Sequence, residues 1–306
     1  MQVWYRYLAI LAVLSMLMGL TGCEGMMDTS TSLLTATGLV NRDIASSGAE
    51  SFKQLSKAAE EFTPEQEYYM GRAVAATILS RYAPYDNPAL TRYVNLIGQT
   101  LSQASDRPET FAGYHFLVLD SDEVNAFAAP GGLIFLSRGM LRLCQSEDEL
   151  AAVLAHEIGH VQAQHGIKSI QTKRRTAALA TIVTTGANVA ANQLVGPQLA
   201  SLTTLFEDSI KDITSTLFEK GYSRSAEGQA DLAAVEILTR VGYDPHAIAR
   251  ALSTLQSQVQ TDQRGFSRTH PAPDNRIAKI RAASGGQAHV SVAARAERFR
   301  SALAGL

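Results

Sequence analysis

The residues HEIGH at positions 156–160 constrain the fold of this chain more than any other stretch. They lie in a run of apolar residues at helical spacing, and Ser146 with Glu149 three residues on predicts the start of that helix. Side chains four residues apart lie on one helix face, so His156 and His160 can turn their imidazoles toward one point. With only 7 His in 306 residues, such a pair is rare by chance.

The chemistry that this pentapeptide favours is metal binding. Two neutral imidazoles suit a Zn²⁺ ion, and the adjacent carboxylate of Glu157 can take a proton from zinc-bound water. Gly159 costs the helix about 1 kcal/mol relative to Ala, which indicates that another element packs closely there. The alternative interpretation is two histidines on a helix face beside a charged neighbour, without a metal.

The composition is that of an ordinary globular protein with one or two domains, at 46% hydrophobic and 18% charged residues. A formal net charge of −2 and the absence of a basic patch exclude nucleic acid as an expected partner. The two Cys do not predict a disulfide framework. Cys144 is expected to be a buried thiol.

The first 22 residues predict a targeting segment, because their apolar run is too short to span a bilayer comfortably. The run ends in LTGC, which resembles the lipobox of bacterial lipoproteins and implies that Cys23 carries lipid. Glu24 then favours sorting to the outer membrane, facing the periplasm. The alternative is a plain N-terminal anchor. Residues 23–60, rich in Ser, Thr, Gly and Ala, are expected to form a lipidated tether and lead-in.

The remaining pattern predicts an α+β fold that is mainly helical, with a small β-sheet preceding the motif helix. Helices are expected at Thr63–Tyr82 and Pro88–Ala104, and strands at Tyr114–Leu119, Val124–Ala128 and Leu133–Ser137, with a turn at Pro130–Gly132. Residues 176–206 carry no charge, but polar residues interrupt them, so two small-residue helices are favoured over a membrane span. Residues 284–306 indicate a tail with one amphipathic helix.

Two zinc-binding histidines need at least one more protein ligand. Gly166 stands where a metzincin would place a third His, which excludes that class. His165 would lie roughly 140° and 180° round an ideal helix from the two histidines, so it is expected on the surface. A carboxylate from a second helix is the other solution. Glu227 and Asp231 are four apart, so the first can bind zinc while the second accepts a ligand histidine's free N–H. The alternative is a solvated helix face, which is what most such pairs form.

Five stretches together resemble the M48 family of zinc metallopeptidases. They are VNAFAAPGG at 124–132, HEIGH at 156–160, SRSAEGQAD at 223–231, GYDP at 242–245 and THPAPDNRI at 269–277. The resemblance covers roughly residues 61–283. It implies a zincin-like (gluzincin) metallopeptidase domain over those residues and one Zn²⁺ per chain.

The resemblance also implies residue roles. His156, His160 and Glu227 would bind the zinc, Glu157 would be the base, and Asp231 would support a ligand from behind. Because the chain lacks clear transmembrane helices around the motif, it is similar to the smaller, periplasmic lipoprotein branch of the family. The expected activity is that of an endopeptidase, anchored by lipid in the bacterial envelope.

The expected substrates are unfolded or misassembled envelope polypeptides. The strand at residues 125–130 offers an edge on which an extended substrate can pair, although ordinary hairpin packing is an equal alternative. A rival hypothesis is a zinc-bearing chaperone or assembly lipoprotein with latent proteolysis. A third, an inert structural lipoprotein, is disfavoured by the intact Glu157.

His270 has three possible roles in the sequence. It could be a fourth zinc ligand that keeps the enzyme latent, a donor to the oxyanion of the reaction, or a packing residue. Tyr222 and Arg224 are the other candidate oxyanion donors. The loop from 260 to 273 that carries His270 is rich in Thr, Gly, Arg and Ser, as expected for a lid.

Overall fold

Helices dominate the part of the chain that the computed structural model describes, which comprises residues 61–171, 198–259, 266–270, 275–286 and 292–306. Those labelled below are, in chain order, α1 (Pro64–Arg81), α2 (Pro88–Gln103), α3 (Arg138–Leu143), α4 (Glu147–Gln162), α5 (Gln198–Ser215), α6 (Arg224–Arg240), α7 (Ala247–Val259), α8 (Phe266–Thr269), α9 (Arg276–Ala283) and α10 (Ala293–Ala302). Residues 165–171 are also helical, and Thr216–Lys220 form a π-helical turn after α5. Three strands, β1 (His115–Leu119), β2 (Ala126–Ala129) and β3 (Leu133–Ser137), precede α3. The predicted mainly helical fold with a small sheet before the motif helix is therefore confirmed.

These residues belong to one compact unit formed by residues 61–174 and 193–306. A second unit, residues 1–60 and 175–192, lies outside the described residues, so the targeting segment, Cys23 and the tether remain predictions. Most of the uncharged run at 176–206 lies outside them too. Within the described ranges, no helix has both the length and the apolar character needed to cross a membrane.

Local sequence starts the helices where the pattern predicts. Thr63 caps α1 by accepting a hydrogen bond from the backbone N–H of Gln66 at 3.2 Å, and Gln66 accepts one in return. Ser146 caps α4 in the same way, at 3.2 Å from the backbone nitrogen of Glu149. The Glu149 carboxylate, however, accepts from the backbone N–H of Gln145 instead of that of the cap residue.

The three strands are ordered β1-β3-β2, with β1 parallel and β2 antiparallel to β3. The predicted turn at Pro130–Gly132 is a 3₁₀ turn that joins β2 to β3. Alternate side chains of β3 enter two hydrophobic clusters, because neighbours in a strand face opposite ways. Ile134 and Leu136 join the cluster around α2 and α4, and Phe135 joins the one against α1. The sheet is thus covered on both faces, with β2 at its edge.

Helix α4 lies at the centre of this arrangement. Every residue from Glu147 to Val161 is buried. Helix α6 packs against it so closely that a Cβ on Gly159 would lie 2.9 Å from the carbonyl oxygen of Ala230. The close approach predicted from this glycine is therefore confirmed, and it brings the helix bearing Glu227 to the motif.

The tail helix α10 forms part of the same core. Its Phe299 is buried in the cluster around α4, and Arg298 donates to the carboxylate of Glu147 at 2.6 Å. The predicted helix is present, but it is fastened to the first turn of the motif helix. The division of the chain at residue 284 remains a prediction.

Candidate metal centre

Side chains from α4 and α6 converge on one buried point. The Nε2 atoms of His156 and His160 lie 3.1 Å apart. The carboxylate of Glu227 approaches both, with Oε2 at 3.5 Å from His156 Nε2 and Oε1 at 3.4 Å from His160 Nε2. All three side chains are at most 1% exposed. The structure therefore brings the predicted ligand trio together, the two histidines through their spacing on α4 and Glu227 through the packing of α6.

The donor spacing suits a tetrahedral ion. Ligands about 2.0–2.1 Å from zinc stand roughly 3.3 Å apart at the corners of a tetrahedron. The Nδ1 atom of His270 supplies a fourth corner, at 3.3 Å from His156 Nε2 and 3.0 Å from Glu227 Oε1. The four donor atoms all lie within 4.8 Å of one another, so this set can hold a metal ion.

Glu157 stands beside this set without joining it. Its side chain is fully buried, and neither carboxylate oxygen has a hydrogen-bond partner in the described part of the chain. Oε1 lies 3.6 Å from Nε2 of His270. Burial raises the pKa of this carboxyl above its usual value. A buried, unpartnered carboxylate at this position is chemically suited to accept a proton from a molecule held at the cluster.

Asp231 supports His156 from behind. Its Oδ1 lies 3.1 Å from Nδ1 of His156, on the side of the ring that faces away from the cluster. Burial alone would raise the pKa of Asp231, but hydrogen bonds from Arg276 and the nearby ring of His156 lower it. The carboxylate is therefore held ionised and can fix the Nδ1 proton of the ring.

Arg276 is a site residue that sequence reasoning missed. It donates to both oxygens of Asp231, each at 2.7 Å, and its Nη1 lies 2.9 Å from Oε2 of Glu227. One buried guanidinium thus spans the two carboxylates of α6. The sequence indicated that the region matters, since Arg276 falls within the THPAPDNRI stretch at 269–277 that resembles the M48 family. Nothing in that stretch indicated which residues Arg276 contacts.

His165 is buried, so the expectation of a surface residue is wrong. Helix α4 ends at Gln162, and Gln164 has a positive φ of 54°. This left-handed residue interrupts the helix, and Nδ1 of His165 lies 2.9 Å from Nδ1 of His160. Residues 165–171 are again helical.

The three candidate oxyanion donors occupy different places. Tyr222 stacks on the ring of His160, with centroids 4.1 Å apart and planes at 21°. Arg224 is exposed at the start of α6. His270 lies in the cluster, where Phe266 stacks on its ring at 4.1 Å. Its segment is attached on both sides, because the backbone of Phe266 donates to Val124 and the carbonyl of Thr269 accepts from Tyr222.

A helix carrying H-E-x-x-H, a second helix carrying a converging Glu, and a small sheet beside them define the class of zincin-like metallopeptidases. Comparison of the sequence with known families agrees. Residues 88–284 match the peptidase family M48. The chain belongs to this family, as the motifs suggested.

Several relatives are metalloproteases. The beta-barrel assembly-enhancing protease of Escherichia coli K12 is 30% identical over 220 residues, which cover 71% of this chain and 43% of that protein. The metalloprotease LoiP of the same organism is 27% identical over 277 residues, covering 89% and 95%. The mitochondrial metalloendopeptidase OMA1 of Schizosaccharomyces pombe is 31% identical over 160 residues, covering 51% and 42%. The chain therefore spans under half the length of the first of these relatives.

Proposed function

We propose that this chain is a zinc-dependent endopeptidase that cleaves peptide bonds by metal-activated attack of water. The observation that carries the proposal is the carboxylate of Glu157, buried and without a hydrogen-bond partner in the described residues, beside the donors of His156, His160 and Glu227. Burying such a group costs free energy. Its position next to a donor set of metal type favours a role as proton acceptor.

In this proposal, His156, His160 and Glu227 would hold one Zn²⁺ per chain, which would supply a Lewis acid and make a nearby water more acidic. Glu157 accepts the proton of the attacking water and passes it to the leaving amine. Asp231, held by Arg276, keeps the proton of His156 on Nδ1, so that Nε2 presents its lone pair to the cluster.

The position of β2 at the edge of the sheet supports the proposal that an extended substrate binds there. The strand pairs with β3 on one side and lies beside α4, and all four of its residues are buried, so its other edge can take the main chain of a peptide only after that edge is uncovered. Recognition of this kind reads backbone more than side chains and requires an unfolded stretch. Unfolded or misassembled envelope polypeptides are the proposed substrates, consistent with a relative named for beta-barrel assembly.

The proposed location is the bacterial envelope, with lipid on Cys23 anchoring the protein to the outer membrane on its periplasmic side. The LTGC sequence that ends the short apolar run supports this proposal. A Cys23→Ser variant is then expected to appear in the soluble periplasmic fraction. Retention of that variant in carbonate-washed membranes would instead assign the anchor to another segment.

For His270 we favour the role of latency ligand over that of oxyanion donor. Its Nδ1 completes a four-donor set, at 3.3 Å from His156 and 3.0 Å from Glu227. A fourth protein ligand would occupy the position that the catalytic water needs. The two roles differ in sign: His270→Ala raises cleavage of unfolded substrate if the residue enforces latency, and lowers kcat by about 10²-fold if it binds the oxyanion. Unchanged activity would leave only a packing role.

The enzyme is tested with Glu157→Gln, using an unfolded outer-membrane protein as substrate. The variant should keep its metal and fold yet lose cleavage, because only the proton acceptor changes. Glu227→Ala should lose metal as well, and a chelator should abolish wild-type cleavage. Turnover of Glu157→Gln near the wild-type rate would refute the assignment of the base, and full zinc occupancy in Glu227→Ala would refute that ligand.

A chaperone or assembly role is the second candidate, favoured by the buried four-donor set. The same Glu157→Gln variant separates the two, because a binding function needs no proton acceptor. Cells that carry only this variant should lose the protein's cellular role if it is an enzyme. Full complementation would support the chaperone.

A further inference from the structure

His165 contacts the proposed metal ligand His160 on the side away from the cluster, as Asp231 contacts His156. Its Nδ1 lies 2.9 Å from Nδ1 of His160, and its Nε2 lies 3.1 Å from Oε1 of Gln229 on α6. The side chain is 6% exposed. Three groups therefore form a chain that starts at the metal cluster and ends on the neighbouring helix.

With a metal bound to His160, only one order of donors and acceptors is possible along these three groups. His160 turns Nε2 toward Glu227 and His156, so a metal bound there leaves its single proton on Nδ1. That proton is donated to Nδ1 of His165, which must then carry its own proton on Nε2. The amide oxygen of Gln229 accepts it. Every donor in the chain thus meets an acceptor.

We propose that His165 is a positioning residue for the metal centre: as a neutral imidazole acceptor, relayed to Gln229, it fixes the tautomer and ring orientation of His160. The inference rests on the proposed function in taking His160 as a ligand. The two ligand histidines then have partners of different charge, an anionic carboxylate behind His156 and a neutral ring behind His160. Such partners orient ligands and tune their basicity.

The backbone is shaped to make this contact. Gln164 adopts a positive φ, a conformation that costs residues other than Gly roughly 1–2 kcal/mol. Its side chain donates to buried Glu67 at 3.1 Å, which helps to hold the turn. Tyr222 stacks on the ring of His160, and its ring centroid lies 5.8 Å from that of His165. An uninterrupted helix would carry His165 away from His160, so the break at Gln164 makes the contact possible.

The test measures metal binding rather than cleavage. The full chain carrying His165→Leu, which fills the space without an acceptor, is titrated with Zn²⁺ against a chromophoric chelator. Its affinity should fall about 10- to 100-fold. His165→Asn, whose side-chain oxygen can replace Nδ1 as acceptor, should recover most of that loss. Gln229→Leu should show a smaller loss, because it breaks only the second link.

A spectroscopic readout and a control separate positioning from general damage. The visible absorption of the Co²⁺-loaded protein should change in His165→Leu and return toward wild type in His165→Asn. His115→Leu removes an exposed histidine of β1 and should leave both readouts unchanged. Circular dichroism of the metal-free variants checks that each is folded.

Two results would overturn the inference. One is a folded His165→Leu that binds zinc within twofold of wild type with an unchanged cobalt spectrum. The other is a folded His165→Asn that binds as weakly as the Leu variant. Both differ from failure of the proposed function, in which the wild-type chain itself binds no zinc or cleaves nothing.

Discussion

The two ends of α4 are held by different kinds of contact. At its N-terminus, the buried carboxylate of Glu147 accepts from the hydroxyls of Tyr93 and Tyr243, each at 2.9 Å, and from Arg298. Near its C-terminus, the back of the ligand histidine His160 meets a neutral series of groups, through His165 to the side-chain amide on α6. Charged groups thus fasten the first turn of the helix, and neutral hydrogen bonds support the second ligand histidine.

The difference follows from what each end must do. Acidic groups are stabilised at a helix N-terminus by the helix dipole, and Glu147 lies nine residues, about 13 Å, before the first ligand histidine. Charge there can strengthen the fold without acting directly on the metal centre. Near the ligands, a neutral partner fixes geometry while adding no net charge. Changes at the first end should therefore alter stability, and changes at the second should alter metal affinity.

The largest expected effect on stability comes from Glu147→Ala. It leaves two tyrosine hydroxyls without their acceptor, at about 1–3 kcal/mol each, so the free energy of unfolding should fall by at least about 2 kcal/mol. Urea unfolding of the metal-free protein measures this loss. Glu147→Gln keeps an acceptor oxygen and should lose less. A tenfold loss of zinc affinity in folded Glu147→Ala would contradict the separation between the two ends.

An intermediate effect is expected at Gly159, which lies between the two ends and beside His160. Gly159→Ala forces a methyl group against the backbone of Ala230, so it should cost about 1–3 kcal/mol of stability and weaken metal binding too. The matched control is Gly228→Ala on α6, where an added methyl group meets nothing within 4 Å. That change should stabilise the helix by up to about 1 kcal/mol. Similar behaviour of the two variants would show that helix packing at Gly159 is not tight.

The smallest effect is expected from Arg298→Ala. Its side chain is 54% exposed, so the ion pair with Glu147 is screened by solvent and should contribute no more than about 1 kcal/mol. Urea unfolding at low and high salt measures it, and the difference from wild type should shrink with salt. Arg300→Ala, on the same helix, is the control. A loss of stability larger than that of Glu147→Ala would show that Arg298, and not the two tyrosine hydroxyls, contributes most to the contact with Glu147.

The sequence predicted the parts of the site that depend on local geometry. His156, Glu157 and His160 follow from helical spacing, and the Glu227–Asp231 pair follows from the same rule on a second helix. The strands and their turn follow from alternation and from Pro and Gly. Periodicity and capping rules suffice to find the motif helix and the strands, which are encoded within a few residues each, whereas the choice of Glu227 and Asp231 as site residues came from the resemblance to the M48 family.

The missed features depend on an interruption of a helix by a left-handed residue or on partners distant in sequence. The position of His165 was wrong because the prediction extended α4 through Gln164, whose left-handed conformation no pattern announced. Arg276 meets Asp231 across 45 residues, and Arg298 meets Glu147 across 151. Such pairs are set by how helices pack, which spacing along one segment does not encode.

The link between Glu147 and Arg298 has a consequence for the order in which the protein is made. At about 5–20 residues per second, translation of the intervening 151 residues takes roughly 8–30 s. During that interval the first turn of α4 lacks its arginine, and the surface that later packs on Phe299 lacks its cover. The contacts of α4 with Arg298 and Phe299 can therefore form only after the end of the domain has been synthesised.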